Sequence, residues 1–396
     1  MQARFLTSIS ELSEEQWSAL WSTDYPFISH AFLSVLEDSG CTTVKTGWLP
    51  CHLILEEHNT LLAAMPLYQK EHSYGEYVFD WGWADAYHRA GLNYYPKLLC
   101  AIPFTPATGP RVGFSAGLTS QDKNSCMEIM EAAIQKRLGE IGGSGFHCLF
   151  PSSENRALFD AGNTVERQGC QFHWFNDGYK NFDEFLASFS SRKRKNIKRE
   201  RQKVGEQNIV HQMRLAKMLP EQDWQLFYQL YQNTYLKRSG HSGYLSEQFF
   251  QEMAAQLPDQ VLLCSAHESS LENPMVAAAL YFKDSTTLYG RYWGAKTEMD
   301  GVHFETCYYQ GIEYAIDQGL KRFDPGAQGE HKIQRGFTPI KTCSFHFIKH
   351  PQFFEAVKGF VAEEKQHNQQ YCQEARTLLP FKEGEKTIDD SVLLNN

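Results

Sequence analysis

Residues 262–295 read LLCSAHESSLENPMVAAALYFKDSTTLYGRYWGA, and residues 53–84 read LILEEHNTLLAAMPLYQKEHSYGEYVFDWGWA. Each is a series of short apolar runs separated by polar turns, a pattern that predicts three antiparallel strands. Each carries an Ala-Ala pair (Ala63-Ala64, Ala277-Ala278) leading into an aromatic-ended strand, then a strand closing on Trp-Gly (Trp81-Gly82, Trp293-Gly294). A Tyr-Tyr helix follows in both, from Tyr94 and from Tyr308, and then a Pro/Gly-rich turn. An ordered series of matches at nearly constant displacement predicts an internal duplication.

Around these meanders the pattern is helical. Helices are expected over Glu14–Trp21, His30–Ser39, Lys123–Ile141, Glu221–Arg238, Ser246–Leu257, His303–Gln318 and from Pro351 to about Leu379. Met127, Met130, Ile134, Leu138 and Ile141 form one stripe, with Asp122 placed to cap it. GFHCLF, VERQGCQFHWFN, Arg322–Asp324 and CSFHFI read as strands. The fold class expected is therefore α+β, an α/β sandwich of two tandem domains with mixed sheets, helices on both faces and a C-terminal helix. The expected divisions are 1–178, 179–350 and 351–396.

The 396 residues suffice for two or three domains, and 42% hydrophobic with 21% charged residues is a globular composition. The N-terminus lacks the basic start and apolar core of a signal peptide, and no run reaches the roughly 20 apolar residues of a membrane helix. The ten cysteines are scattered without a CxxC pair, so they read as reduced core residues, and the expected location is the cytoplasm. No metal site is expected. The net charge of −9 conceals residues 192–203, RKRKNIKRERQK, with eight Lys or Arg and one Glu. Such a chain is not a bulk nucleic-acid binder, and DNA is not an expected partner. Phe185, Phe189, Ile197 and Val204 form an apolar stripe on this segment, so its cations Arg192, Arg194, Lys195 and Lys198 either stand in solvent or hold a phosphate on a nucleotide, CoA or tRNA.

The densest polar constellation joins HFETCYYQ (303–310) to DPGAQGEHKIQRG (324–336). Phe304, Tyr308, Gly311, Ile312 and Ala315 share one helix face, leaving Glu305, Glu313 and Asp317 on the other. His303 and Glu305 stand in the first turn, where Glu305 serves either chemistry or the helix dipole. The second segment has no apolar period and reads as a loop. Proton handling falls to His303, Glu305, Glu330 and His331. Substrate contacts fall to Arg291, Tyr309, Gln310, Gln328, Lys332 and Arg335, the cations holding a phosphate or carboxylate. In the first half Asp80, Trp81, Asp85, Tyr87 and Arg89 either line a substrate groove or divide between core and surface. No GxSxG, Walker A, GxGxxG or HExxH motif occurs.

The stretch LYGRYWGAKTE…HFETCYYQGIEYAIDQGLKRFDPGAQGEHK resembles the FemAB-like branch of the GNAT acyltransferase superfamily. SHAFLSVLEDSGC, AAMPLYQK, WADAYHRAGLNYYPKL, PFTPATGPR, SRKRKNIKRER and GAQGEHKIQRGF extend the resemblance over nearly the whole chain. It implies two GNAT-like domains and an N-acyltransferase of the peptidoglycan-biosynthesis type. Fem-type ligases take aminoacyl-tRNA as donor and a peptide amine of a cell-wall precursor as acceptor. Ordinary GNAT enzymes take acetyl-CoA, whose pyrophosphate lies on a Q/RxxGxG/A loop. Here that loop reads KTEMDGVHF (296–304) and the motif is absent. The expected activity is transfer of an acyl or aminoacyl group from acyl-CoA or aminoacyl-tRNA, as co-substrate, to a small-molecule or peptide-like amine. The competing expectation is a catalytically silent binder of a nucleotide-linked or envelope precursor.

Overall fold

The computed structural model describes residues 1–160, 163–327 and 329–382. Two compact units result: residues 1–170 with 341–370, and residues 171–340 with the segment from 371. They interleave rather than follow one another as 1–178, 179–350 and 351–396, because the strand Thr338–Ile348 and the helix Pro351–Thr377 return much of the C-terminal chain to the first unit.

The first unit carries β1 (Gln2–Leu6), α1 (Glu14–Ser18), α2 (His30–Asp38), β2 (Trp48–Pro50), β3 (His52–Glu57), β4 (Thr60–Met65), β5 (Leu67–Lys70) and α3 (Trp81–Arg89). Then come β6 (Lys97–Cys100), β7 (Gly113–Phe114), α4 (Ser120–Glu140), β8 (Gly145–Leu149), α5 (Ser153–Asp160) and the start of β9 (Val165–Phe175). One sheet has the order β1-β3-β4-β7. A second runs from the C-terminal part of the late strand Thr338–Ile348 through β8, β6 and β5 to β2, with β6 and β8 parallel. The stripe of α4 packs on this framework through Met127, Met130, Ile134 and Leu138, all buried. Its cap is Thr119, one turn before the expected Asp122. Thr119 accepts from the Asp122 N–H, and the Asp122 carboxylate returns the bond to the Thr119 N–H at 2.9 Å.

Two first-half expectations fail for local reasons. Trp81-Gly82 does not end a strand. The segment is helix α3, since Trp83 and Tyr87 lie four apart on one buried face, leaving Trp81 outside. The expected Tyr94 helix is instead strand β6, because Pro96 disfavours the helical region for Tyr95. The hairpin containing the Ala-Ala pairs is common to both halves (β3-β4 here), and in both it is followed by a strand, a helix and a further strand (β5, α3 and β6 here).

The second unit continues with α6 (Phe182–Ala187), α7 (Ser191–Glu206), β10 (Ile209–Leu215), α8 (Glu221–Ser239) and α9 (Glu247–Gln256). The meander follows as expected: β11 (Val261–Glu268), β12 (Met275–Lys283) and β13 (Thr287–Ala295). A composite helix comes next: α10 (Val302–Phe304), a π-helical turn Glu305–Tyr309 and α11 (Gln310–Asp317). β14 (Arg322–Asp324) and a 3-10 helix Glu330–Arg335 follow, where the sequence had suggested a loop, and then the strand β15 (Thr338–Ile348) and helix α12 (Pro351–Thr377) already described. The sheet order is β10-β11-β12-β13-β14-β9, with β13 and β14 parallel and the remaining pairs antiparallel. Gly294 shows why Trp-Gly ends β13. A Cβ there would lie 2.5 Å from the Tyr231 N of α8, so helix and strand backbones meet directly. Among the described residues no helix is long and apolar enough to cross a membrane.

Candidate active site

β13 and β14 pair only from Thr287↔Arg322 to Tyr289↔Asp324. Immediately beyond, β13 bulges. Leu280 faces Tyr292 and Tyr281 faces Gly290, so Arg291 is the extra residue. β14 ends at the same level in Pro325-Gly326. Two parallel strands that part at their C-terminal ends open a crevice of the kind in which α/β sheets bind ligands. Arg291 spans its floor, donating from Nη2 to Asp324 Oδ2 at 2.9 Å, while the Gly326 N–H donates to Oδ1 at 2.8 Å. Burial opposes ionisation of Asp324, yet Arg291 and His173 hold its carboxyl well below the usual range.

The 3-10 helix and the π turn bring side chains to this place. Lys332 Nζ donates to the Gly326 carbonyl at 2.6 Å, and its burial, with Arg291 nearby, lowers the ammonium to about 7. His331 Nε2 and the Tyr308 hydroxyl lie 2.9 Å apart. Burial and the cations Lys332, Arg335 and Arg238 lower His331 to about 4, and burial with His331 and Arg238 lowers His303 to about 3. Both imidazoles are therefore neutral at physiological pH, and burial keeps the Tyr308 phenol protonated. The His303 ring lies 6.1 Å from that of His331 and 5.2 Å from Trp293. The crevice thus combines neutral imidazoles, a phenol and a lysine balanced near neutrality, groups suited to moving a proton and donating to an oxyanion.

Other predicted residues are occupied by a clamp. The π turn adds a residue to the helical repeat and rotates Glu305, expected on the polar face, into the interior. There Arg201 of α7 binds it at 2.6 and 2.9 Å, and also binds Glu313 at 2.7 Å, while Gln310 donates to Glu305 at 2.8 Å. Glu200, the residue before Arg201, accepts from the Tyr309 hydroxyl and from Arg335. The Arg335 guanidinium lies 3.4 Å from the Phe304 ring centroid. Glu305, Tyr309, Gln310 and Arg335 therefore anchor α7 to the composite helix. The four cations expected to hold an anion divide: Arg192 and Lys195 are exposed, Arg194 is half-buried, and Lys198 pairs with Asp183 at 3.2 Å on the surface. Glu330 accepts from the Tyr371 hydroxyl at 2.7 Å at the surface. Gln328 lies outside the described residues.

Beside the crevice is a cavity of about 410 Å³. Lys237 and Arg238 from α8, Trp293, and Glu298, His303 and Phe304 from the segment after β13 line it. Sequence reasoning passed over Arg201, Glu200, Arg238 and Tyr308, since neither an isolated cation in a basic run nor one tyrosine on an apolar stripe shows its partner. Residues proposed in the first half are not gathered. Asp80 is buried, bound by Lys97 at 2.5 Å and by the Tyr94 hydroxyl at 2.7 Å. Tyr87 packs on Phe353, Trp81 is exposed beside Tyr74, and Asp85 pairs with Arg89 in solvent at 3.2 Å.

A mixed sheet splayed between two parallel strands, with helices packed on it, is a GNAT-like fold. The chain belongs to the FemAB-like family, described as peptidoglycan biosynthesis/recognition, whose profile it matches over residues 8–383. No curated protein sequence matches it. Among solved structures it is similar to FemX (11% identity, TM-score 0.50, covering 90% of this chain and 100% of that one). It is also similar to the C-terminal domain of a putative lysylphosphatidylglycerol synthetase from Agrobacterium fabrum (8% identity, TM-score 0.52, 90% and 97% covered). A conserved protein of unknown function from Bacteroides thetaiotaomicron matches comparably (10%, 0.51, 87% and 99%). At these identities the likeness concerns the fold.

Proposed function

We propose that the protein transfers an aminoacyl group from aminoacyl-tRNA to the amine of a peptide-like cell-wall precursor, with the chemistry in the β13/β14 crevice. The observation that carries this reading is the Tyr308–His331 pair at its mouth, next to Lys332. Attack of an amine on an ester requires removal of a proton and stabilisation of the oxyanion. A new C–N bond forms and the ester C–O bond breaks. The amine proton passes to neutral His331 and then to the departing ribose hydroxyl. The Tyr308 hydroxyl donates to the oxyanion, and Lys332 adds positive potential when protonated.

The loop after β13 favours this donor over acyl-CoA. It holds Glu298, which repels a pyrophosphate, and Asp300, which pairs with Lys203 at 3.3 Å, and it lacks the glycine pattern that would expose backbone N–H groups to one. The Glu298 carboxylate instead suits the α-ammonium of an aminoacyl group, while Lys237, Arg238 and the exposed cations of α7 suit a polynucleotide backbone. The family description supports the acceptor. Aminoacyl-tRNA is a cytoplasmic donor, so the work belongs in the cytoplasm.

The test supplies the full chain with a UDP-linked muropeptide and either a pool of radiolabelled aminoacyl-tRNAs or labelled acetyl-CoA. Label reaching the muropeptide from aminoacyl-tRNA is the expected result. Label moving only from acetyl-CoA overturns the donor. Thermal stabilisation by the precursor without transfer from either donor favours the silent binder.

A further inference from the structure

The first unit holds a hollow that this chemistry does not use. It measures about 460 Å³ and lies between α4 and the strands β4, β8 and β15. Its apolar wall includes Met65, Met127, Met130, Ile134, Phe146 and Phe159. Protein interiors leave few voids larger than one water, whose share of the liquid is about 30 Å³. Ligand pockets, by contrast, occupy about 300–1,000 Å³. The hollow is open to solvent along its rim, so a guest reaches the apolar wall without parting the core. Three of the chain's nine methionines line it, and their unbranched thioether chains re-pack readily around a guest.

The rim states the charge of that occupant. Glu128, Glu131 and Gln135 follow one another along one edge of α4 and all line the hollow. Among the described residues neither carboxylate has an ion-pair partner, and burial together with the Glu128 charge raises the Glu131 carboxyl. Asn163 and Thr164 complete the rim without adding a cation. Two adjacent carboxylates above an apolar chamber attract an ammonium and repel a carboxylate. We propose that this hollow is a binding site for a small amphiphilic amine, its apolar body among the methionines and phenylalanines and its ammonium at Glu128 and Glu131. The site is independent of the crevice and of the reaction proposed there.

The test titrates octylamine and octanoate, separately, into full-length protein labelled with 13C at its methionine methyls. The expected result is saturable 1:1 binding of octylamine, at least tenfold tighter than octanoate, with the methyl signals of Met65, Met127 and Met130 shifting and the rest still. Changing Glu128→Gln and Glu131→Gln together brings the two affinities within about threefold while leaving those methyl shifts in place. Met130→Trp, which fills the chamber, abolishes binding. The proposal is overturned if neither amphiphile binds, if the wild type binds both equally, or if other methionines respond. The methyl signals in the wild type decide the matter even if Met130→Trp does not fold.

Discussion

Arg201 grips Glu305 through two hydrogen bonds, Nη2–Oε1 at 2.6 Å and Nε–Oε2 at 2.9 Å, and the grip joins the basic helix to the composite helix. It assigns Glu305 to architecture. A carboxylate held twice by a guanidinium and once by Gln310 has little freedom to take a substrate proton. Glu305→Gln is expected to lower stability while leaving the transfer rate within a few-fold. Arg201→Ala, which strands Glu305 and Glu313, is expected to cost about 3 kcal/mol in urea unfolding. A large loss of turnover in a stably folded Glu305→Gln protein would return the residue to the chemistry.

Gly294 and Gly139 make a contrasting pair. A methyl at Gly294 meets the α8 backbone, whereas one at Gly139, in α4, meets nothing within 4 Å. Gly294→Ala is expected to destabilise by about 1–3 kcal/mol through overpacking. Gly139→Ala is expected to stabilise by up to about 1 kcal/mol through helix propensity. Denaturant midpoints of the two variants measure both, and equal effects would contradict the close approach of α8 to β13.

Lys332 links stability to pH. Its folded value of about 7 lies below the roughly 10.4 of an exposed lysine. Between these values the unfolded chain binds more protons than the folded one, so the Lys332 contribution to stability rises as pH climbs from about 7 toward 10. Below about 7 both states are protonated and its unfavourable contribution is constant. Unfolding free energies of the wild type and Lys332→Met, compared at several pH values, are expected to diverge in favour of the wild type only across that window. A pH-independent difference would contradict the burial of a charge here.

The cations of α7 that face solvent predict a salt effect. Replacing Arg192 and Lys195 with alanine is expected to weaken tRNA binding and to lower the slope of log K against log salt by about one unit per cation. An unchanged slope would exclude this face from the donor's path.

The sequence was most legible where one period governed a whole element. The α4 stripe, the β11-β12-β13 meander and the strand Arg322–Asp324 appear where alternation or helical spacing put them. It was least legible where one residue shifts a period. The π turn reversed the facing of Glu305, and Pro96 turned an expected helix into β6. At the site, the density of polar residues marked the segments 303–310 and 324–336 but not their internal division. His303, His331 and Lys332 meet near the crevice, while Glu305, Tyr309, Gln310 and Arg335 meet Arg201 and Glu200, whose side-chain roles a run of charges does not display.

The central claim is that the Tyr308–His331 pair performs the transfer, and Tyr308→Phe tests it with the loss of a single oxygen. Single-turnover transfer from bound aminoacyl-tRNA is expected to slow by about 10²–10³-fold, the usual effect of deleting one oxyanion donor, with donor affinity and unfolding midpoint little changed. A rate within threefold of the wild type in the folded variant would contradict the assignment.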